Sequence, residues 1–279
     1  MERSYLFVPG NQYERIGKAL HSEADAVIID LEDAVAVDHK KEARRIIKMA
    51  LTDYDTTDKQ IYLRINDVKT NEWQEDVKLA NEFPQLGIFL PMAESREEIL
   101  LLEDQLQGKR KIVPIIETAK GIMAVHSIAL ASRQVFRLAF GALDYCLDLG
   151  ISITKEQHEL IYPRSLLAVV SKTADIMSPI DTVYPEFHDD AGLKEEIQRA
   201  RQLGFSAKLC IHPRQLPFIN EGFSHTEEEI RWAREVVETF QKAEKEGRAA
   251  INFKGTMIDY PVYKRALAIL GEKDPSQTR

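Results

Sequence analysis

The 279-residue chain is long enough for one (β/α)₈ barrel of roughly 250 residues plus an extension, and its 44% hydrophobic content supplies a large core. Lys plus Arg number 37 and Asp plus Glu 45, a formal charge of −8, which speaks against nucleic acid as a bulk partner; no apolar run approaches the ~20 residues of a membrane span. The opening MERSYLFVPG lacks the regions of a signal peptide, and Cys146 and Cys210 have no metal-binding spacing, so reduced thiols in a cytoplasmic protein are expected.

Residues 5–8 read as a first strand, ended by the Pro9-Gly10 turn signal. Asn11 is placed to cap a helix to about Leu20, with Arg15 and Lys18 on its surface. Residues 26–30, AVIID, form a second buried strand running into DLEDAV, where Asp30, Glu32 and Asp33 crowd together. Like charges that close need cations, hydrogen bonds or raised pKa values. A helix over 40–51 leads to a third strand, 61–65, interrupted by Arg64. A charge within a strand is costly unless it is paired or faces a polar pocket. Arg64 is therefore an edge residue, a salt-bridge partner of Asp30 or Glu32, or part of a site. Residues 72–81 are helical, 87–90 form a fourth strand closed by Pro91, and Ser95 begins a charged, exposed helix to about Leu106.

The stretch 112–150 organises the chain. Its two apolar runs, 112–116 and 137–140, read as strands covered on both faces. Glu117 follows the first and Asp144 the second, with a helix over 119–131 between. In a parallel barrel both acids stand at C-terminal strand ends, the face that carries chemistry. Either acid alone reads as a helix cap. Two acids placed alike on consecutive strands point to a pair of hard oxygen ligands for Mg²⁺.

A helix over 155–175 must kink or restart at Tyr162-Pro163. Residues 181–183 are a seventh strand, 189–203 a helix ended by Gly204, and 207–211 an eighth strand closed by His212-Pro213. Eight alternations within about 220 residues favour a closed barrel. Beyond it lie an amphipathic helix over 226–246, a turn at Gly255, Asp259 before Tyr260-Pro261, a helix to about Leu270, and a polar, frayed end, GEKDPSQTR.

RSYLFVPGN, DAVIIDLEDAV, LRIN, VPIIETAKGI, FGALDY, DTVYPEFHD, IHPRQ and FKGTMIDYP occur in this order from Arg3 to about Leu270. Together they resemble the citrate lyase β-subunit-like family of the HpcH/HpaI aldolase superfamily, which includes malyl-CoA and citramalyl-CoA lyases. The resemblance implies a TIM barrel over 1–222. A helical, lid-like extension over 223–279 would cover the active site of a neighbouring subunit, in trimers or multiples of trimers. It also implies an Mg²⁺-dependent enzyme, with Mn²⁺ as the alternative ion, and CoA as part of the substrate. A 3-hydroxyacyl-CoA such as malyl-CoA or citramalyl-CoA would be cleaved to, or made from, an acyl-CoA and a 2-oxo acid. The alternative is a citrate lyase β subunit acting on a citryl thioester of an acyl carrier protein.

By the same resemblance Glu117 and Asp144 are metal ligands, and Arg64 binds the substrate carboxylate or carbonyl. Asp259, in MID, is the acid/base, and Phe7, Lys18, Leu209 and Cys210 mark where the CoA thioester lies. An arginine fork and a Lewis acid both polarise a 2-oxo carbonyl. A carboxylate moves the proton at the thioester α-carbon; the bland reading of Asp259 is a helix cap. Asp30, Glu32 and Asp33 are read as acids orienting Arg64 or metal-bound water. His212 is read as a hydrogen-bonded structural residue rather than a base, and Leu143, Tyr145 and Met123 as neighbours of the acyl pocket.

Overall fold

Short apolar runs without alternation, each bounded by a turn or a polar residue, become the parallel strands of a closed barrel. The structure is a computed structural model and describes residues 2–245, 248–253 and 255–271. In chain order the first unit contains β1 (Ser4–Pro9), α1 (Tyr13–Leu20), β2 (Ala26–Asp30), α2 (Lys40–Asp53), β3 (Gln60–Arg64) and α3 (Trp73–Glu82). Then come β4 (Gly87–Leu90), α4 (Arg96–Gln105), β5 (Ile112–Ile116), α5 (Ala119–Ala129), β6 (Arg137–Phe140) and α6 (Ala142–Leu149). α7 (Ile161–Thr173), β7 (Met177–Asp181), α8 (Asp190–Gln202), β8 (Ala207–Cys210) and α9 (Leu216–Gly222) complete it. The strands pair in sequence order, and β1 pairs with β8 to close the (β/α)₈ TIM barrel.

The two-residue period of each strand divides its side chains between two cores. Tyr5, Ile28, Tyr62, Phe89, Val113, Ile115, Ala139, Ile180 and Leu209 fill the barrel interior. Leu6, Val27, Ile29, Leu63 and Ile116 face outward among the helices. The N-terminal end of the barrel is closed by polar groups. The Glu2 carboxylate accepts from Tyr5 Oη (2.5 Å), Tyr62 Oη (3.1 Å) and Lys111 Nζ (2.8 Å). The opposite, C-terminal mouth is the face on which such barrels keep their chemistry.

Several elements differ from the sequence reading. β7 starts four residues earlier than expected and ends two earlier, because Ser178 and Pro179 mask a run whose buried part is Pro179–Ile180–Asp181. α4 is not fully exposed: Ile99 and Leu102 are buried, and Ser95 and Glu98 form a reciprocal capping box. Asn11 does not cap α1; Gln12 holds that position without a side-chain bond. The helix expected over 155–175 restarts at Ile161, with Pro163 inside the first turn where its missing N–H costs nothing. α6 and α9 were not anticipated; each is short enough to pass as a loop.

The second unit begins at Ser224. It holds α10 (Glu227–Lys245), a hairpin of β9 (Ile251–Phe253) and β10 (Thr256–Ile258), and α11 (Tyr260–Leu270). Gly255, at φ 84°, makes the hairpin turn. Phe240 stacks on Tyr263 at 4.7 Å, and Val236, Val237, Ile258, Ala266 and Leu267 complete this unit's core. Residues 272–279, expected to fray, and the expected helix end at Glu246 lie outside the described residues. No described helix is long and apolar enough to cross a membrane.

Candidate active site

β2 and β3 pair so that Asp30 lies beside Arg64. Arg64 Nε and Nη2 donate to the two Asp30 oxygens at 2.7 and 2.5 Å, a bidentate fork. Asp30 is itself fixed by the backbone N–H groups of Glu32 (2.8 Å) and Ala34 (3.2 Å). Arg64 Nη1 stands 2.8 Å from Glu32 Oε2 and 3.5 Å from Asp33 Oδ2, and the guanidinium lies 4.9 Å over the Phe7 ring. Burial works against the Arg64 charge, but Asp30, then Glu32 and Asp33, outweigh it and hold its pKa above the usual range. Salt bridges to both Asp30 and Glu32 answer the cost of a cation in β3.

The loop beneath this cluster rests on a buried lysine. Lys40 Nζ donates to the carbonyls of Leu31 (2.8 Å) and Glu32 (3.0 Å) and to Asn66 Oδ1 (2.5 Å). Asn66 is fixed in turn by Asp76, which accepts from its backbone N–H (2.8 Å) and its Nδ2 (2.6 Å). Neither Lys40 nor Asn66 stood out in the sequence, although LRIN carries the latter beside Arg64.

Glu117 follows β5 and is 4% exposed. Its Oε1 accepts the Met92 N–H at 2.7 Å. Its other oxygen lies against Gly141, where any Cβ would approach Oε2 to 2.4 Å, so glycine alone leaves room for the carboxylate. Burial pushes the Glu117 pKa up to about 8; the Met92 N–H opposes this, and the Glu32 and Asp144 charges add to it. Asp144 projects from the first turn of α6, exposed at the barrel mouth. Partial desolvation and the charge of Asp33 raise its pKa. Burial likewise takes Glu32 to about 8, with Arg64 opposing and Asp33, Asp30 and Asp144 reinforcing the shift.

Arg64, Glu117 and Asp144 line one small cavity of about 70 Å³ with Phe7, Leu143, Thr182 and Leu209. Asp30, Glu32, Asp33, Glu117 and Asp144 set five carboxylates against the single Arg64 guanidinium, and three of the five are raised by burial and mutual repulsion. That surplus suits a bound cation. Among the described residues no group of three or more His, Cys, Asp or Glu is arranged to hold a metal alone. Glu117 and Asp144 can offer two hard oxygen ligands, leaving the remaining positions to water and substrate, an arrangement magnesium accepts.

Phe7 also borders a second cavity of about 350 Å³ with Pro9, Arg15, Lys18, Ile211, His212 and Pro213. Phe7 and Lys18 thus line this cavity and Leu209 the small one, whereas Cys210 is fully buried with its thiol donating to the His212 carbonyl at 3.1 Å. Burial also pushes the thiol up to about 12. Cys210 therefore lines neither cavity, because β8 turns it outward into the helical layer. His212 caps a helical turn: its Nδ1 accepts the Arg214 N–H at 3.1 Å and its ring stacks on Phe187 at 4.9 Å. Leu143 reaches the small cavity; Tyr145, buried against Phe140, and Met123, 78% exposed on α5, do not line it.

In the second unit Asp259 is the N-cap of α11, its Oδ1 accepting the Val262 N–H at 3.2 Å. This geometry answers the bland expectation for Asp259 and leaves its second oxygen free of that bond.

Residues 3–213 match the model of the HpcH/HpaI aldolase/citrate lyase family. The human mitochondrial citramalyl-CoA lyase is 31% identical over 95% of this chain and 83% of its own length. The citrate lyase subunit beta of Leuconostoc mesenteroides subsp. cremoris is 31% identical over 97% of this chain and 92% of its own. Among solved structures, CitE from Mycobacterium tuberculosis in complex with magnesium, acetoacetate and coenzyme A superposes with a TM-score of 0.81 at 29% identity, covering 97% of each chain.

Proposed function

The chain belongs to the HpcH/HpaI aldolase/citrate lyase family, and from that premise we propose that it is a magnesium-dependent carbon–carbon lyase of 3-hydroxyacyl-CoA thioesters. The reaction cleaves, or forms, a thioester such as citramalyl-CoA or malyl-CoA, with an acyl-CoA and a 2-oxo acid on the other side. One observation carries this reading: Arg64, Glu117 and Asp144 share a single cavity at the barrel mouth.

Glu117 and Asp144 would hold the metal. When bound, magnesium supplies Lewis-acid polarisation of the 2-oxo acid's oxygens. Arg64 has five N–H donors, and its ion pairs with Asp30 and Glu32 leave at least one for a substrate oxygen. Asp30 fixes the plane of that donor, so no reorganisation is needed as charge develops on the substrate. Phe7 and Leu209 supply apolar walls of the site. Asp259, supplied by the extension of a neighbouring subunit, moves the proton at the thioester α-carbon.

The larger cavity beyond Phe7 suits the rest of the thioester. Arg15 and Lys18 on its wall have no ion-pair partner among the described residues and would meet an anionic group there. Met123, Leu147, Tyr162 and Val169, each at least 60% exposed, support burial against further copies of the chain, a homotrimer or a multiple of trimers. Cys146 and Cys210, both free and buried, fit the reducing cytoplasm we propose as its location.

The test is to incubate purified protein with Mg²⁺, acetyl-CoA or propionyl-CoA, and glyoxylate or pyruvate, reading products by mass, and to run cleavage of citramalyl-CoA in parallel. Turnover of the free CoA ester without partner subunits supports this reading. Turnover only of a citryl thioester on a carrier protein would favour the citrate lyase β subunit instead. No turnover with either would sink both.

A further inference from the structure

The first turn of α6 carries Asp144, so the placement of that turn fixes the carboxylate. A helix start leaves backbone N–H groups without intrahelical partners, and an N-cap side chain commonly accepts one. Here the N-cap is Gly141, which has no side chain to offer. It cannot be Ser, Thr or Asp, because a Cβ at Gly141 would lie 2.4 Å from Glu117 Oε2. Room for one carboxylate therefore removes the local cap of the helix bearing the other.

An acceptor for the first N–H of the helix comes from 40 residues away: the Ala142 N–H donates to Thr182 Oγ1 at 3.1 Å, in a buried position. Thr182 is 4% exposed and lines the small cavity with Arg64, Glu117 and Asp144. Its footing is rigid. Alternation along β7 turns Ile180 into the barrel and Asp181 outward. Asp181 is locked there by Arg164 Nε (2.8 Å) and Lys208 Nζ (2.9 Å), while Lys208 also pairs with Glu196 and Arg164 Nη1 donates to Gln157 (2.6 Å). With its oxygen accepting from Ala142, the Thr182 hydroxyl still has its own proton to donate toward the cavity.

We propose that Thr182 is the positioning residue of the metal site: by holding the first backbone N–H of α6 it sets the Asp144 carboxylate opposite Glu117. This rests on the magnesium reading above. Groups that orient a metal ligand typically change affinity 10- to 100-fold when removed.

The test uses Thr182→Val, which keeps the shape and removes the acceptor, and Thr182→Ser, which keeps it. Mg²⁺ affinity is measured calorimetrically and through the Mg²⁺-dependent rise in Tm. Thr182→Val should bind Mg²⁺ about 10- to 100-fold more weakly, with kcat largely restored at saturating Mg²⁺, and Thr182→Ser should stay close to wild type. If circular dichroism shows that the valine protein does not fold, Thr182→Ala, which adds no bulk, carries the same expectation. Wild-type affinity in the valine or alanine protein would overturn the inference, as would an equal loss in Thr182→Ser. Absence of Mg²⁺ binding by the wild type is a separate outcome that overturns the magnesium reading and this inference with it.

Discussion

The Met92 N–H donates to Glu117 Oε1 at 2.7 Å from a backbone held at φ 49°, a left-handed conformation that methionine rarely adopts. A non-glycine residue in that region costs on the order of 1–3 kcal/mol and persists only where its surroundings impose it. Here the strained turn after β4 aims a donor at a buried carboxylate. The bond opposes, without cancelling, the burial that takes Glu117 up to about 8.

Stability should therefore fall with rising pH in metal-free protein. The unfolded Glu117 releases its proton near 4.5 and the folded one near 8, so each unit between them favours the unfolded chain. Below that window both states are protonated and the effect vanishes; above it the loss levels off. Glu32 acts in the same direction. Glu117→Gln, which has no charge to desolvate, should flatten this dependence and be more stable than wild type at pH 8, by an amount on the order of a few kcal/mol. Urea unfolding in EDTA across this pH range checks it. A Gln variant as pH-dependent as wild type would mean that Glu117 is not desolvated as the structure has it.

Magnesium should reverse that trend. Carboxylate ligands bind metal only when deprotonated, so Mg²⁺ affinity should rise with pH up to about 8, the value to which Glu117 is shifted. Asp144→Asn and Glu117→Gln should each lose the Mg²⁺-dependent rise in Tm and all turnover, and divalent ion should restore chelated wild type. Full activity in EDTA would remove the metal from the mechanism.

Lysine in place of Arg64 keeps the charge but not the fork that meets both oxygens of Asp30. Loss of a single oxyanion donor costs about 10²-fold in kcat or more, and Arg64→Lys should exceed that because it also frees the Asp30 and Glu32 charges. A kcat/KM within a few-fold of wild type would make Arg64 a structural ion pair and nothing more.

How far the sequence reached depended on distance along the chain. The barrel was legible because strands buried on both faces, such as 26–30 and 112–116, are apolar throughout. Arg64 with Asp30 and Glu32 was legible because an unpaired charge in a strand demands a partner nearby. β7 was misplaced because its polar start looks like a loop. Thr182 and Met92 could not be found that way. Each acts through one backbone contact, 40 and 25 residues from its partner, and neither residue type advertises it. The resemblance places Cys210 with Leu209 along the thioester, but one residue along β8 turns a side chain to the other face, and Cys210 points into the helical layer.

Asp259 offers the cleanest separation of structure from chemistry. As the N-cap of α11 it accepts the Val262 N–H, and asparagine caps a helix about as well as aspartate. Asp259→Asn should therefore leave Tm and Mg²⁺ affinity unchanged while removing proton transfer, typically worth 10²- to 10⁴-fold. Asp259→Ala, by contrast, should also cost about 1 kcal/mol of stability through the lost cap. If asparagine retains wild-type kcat, Asp259 is a cap alone. Whether the extension serves a neighbour has its own measurement. Inactive Asp259→Asn and inactive Glu117→Gln proteins are dissociated, mixed and reassembled, with mass measurements showing that mixed oligomers form. If sites are shared, some pair an intact barrel with an intact neighbouring extension, and part of the activity returns. If each chain serves its own barrel, every site keeps one defect and no activity returns.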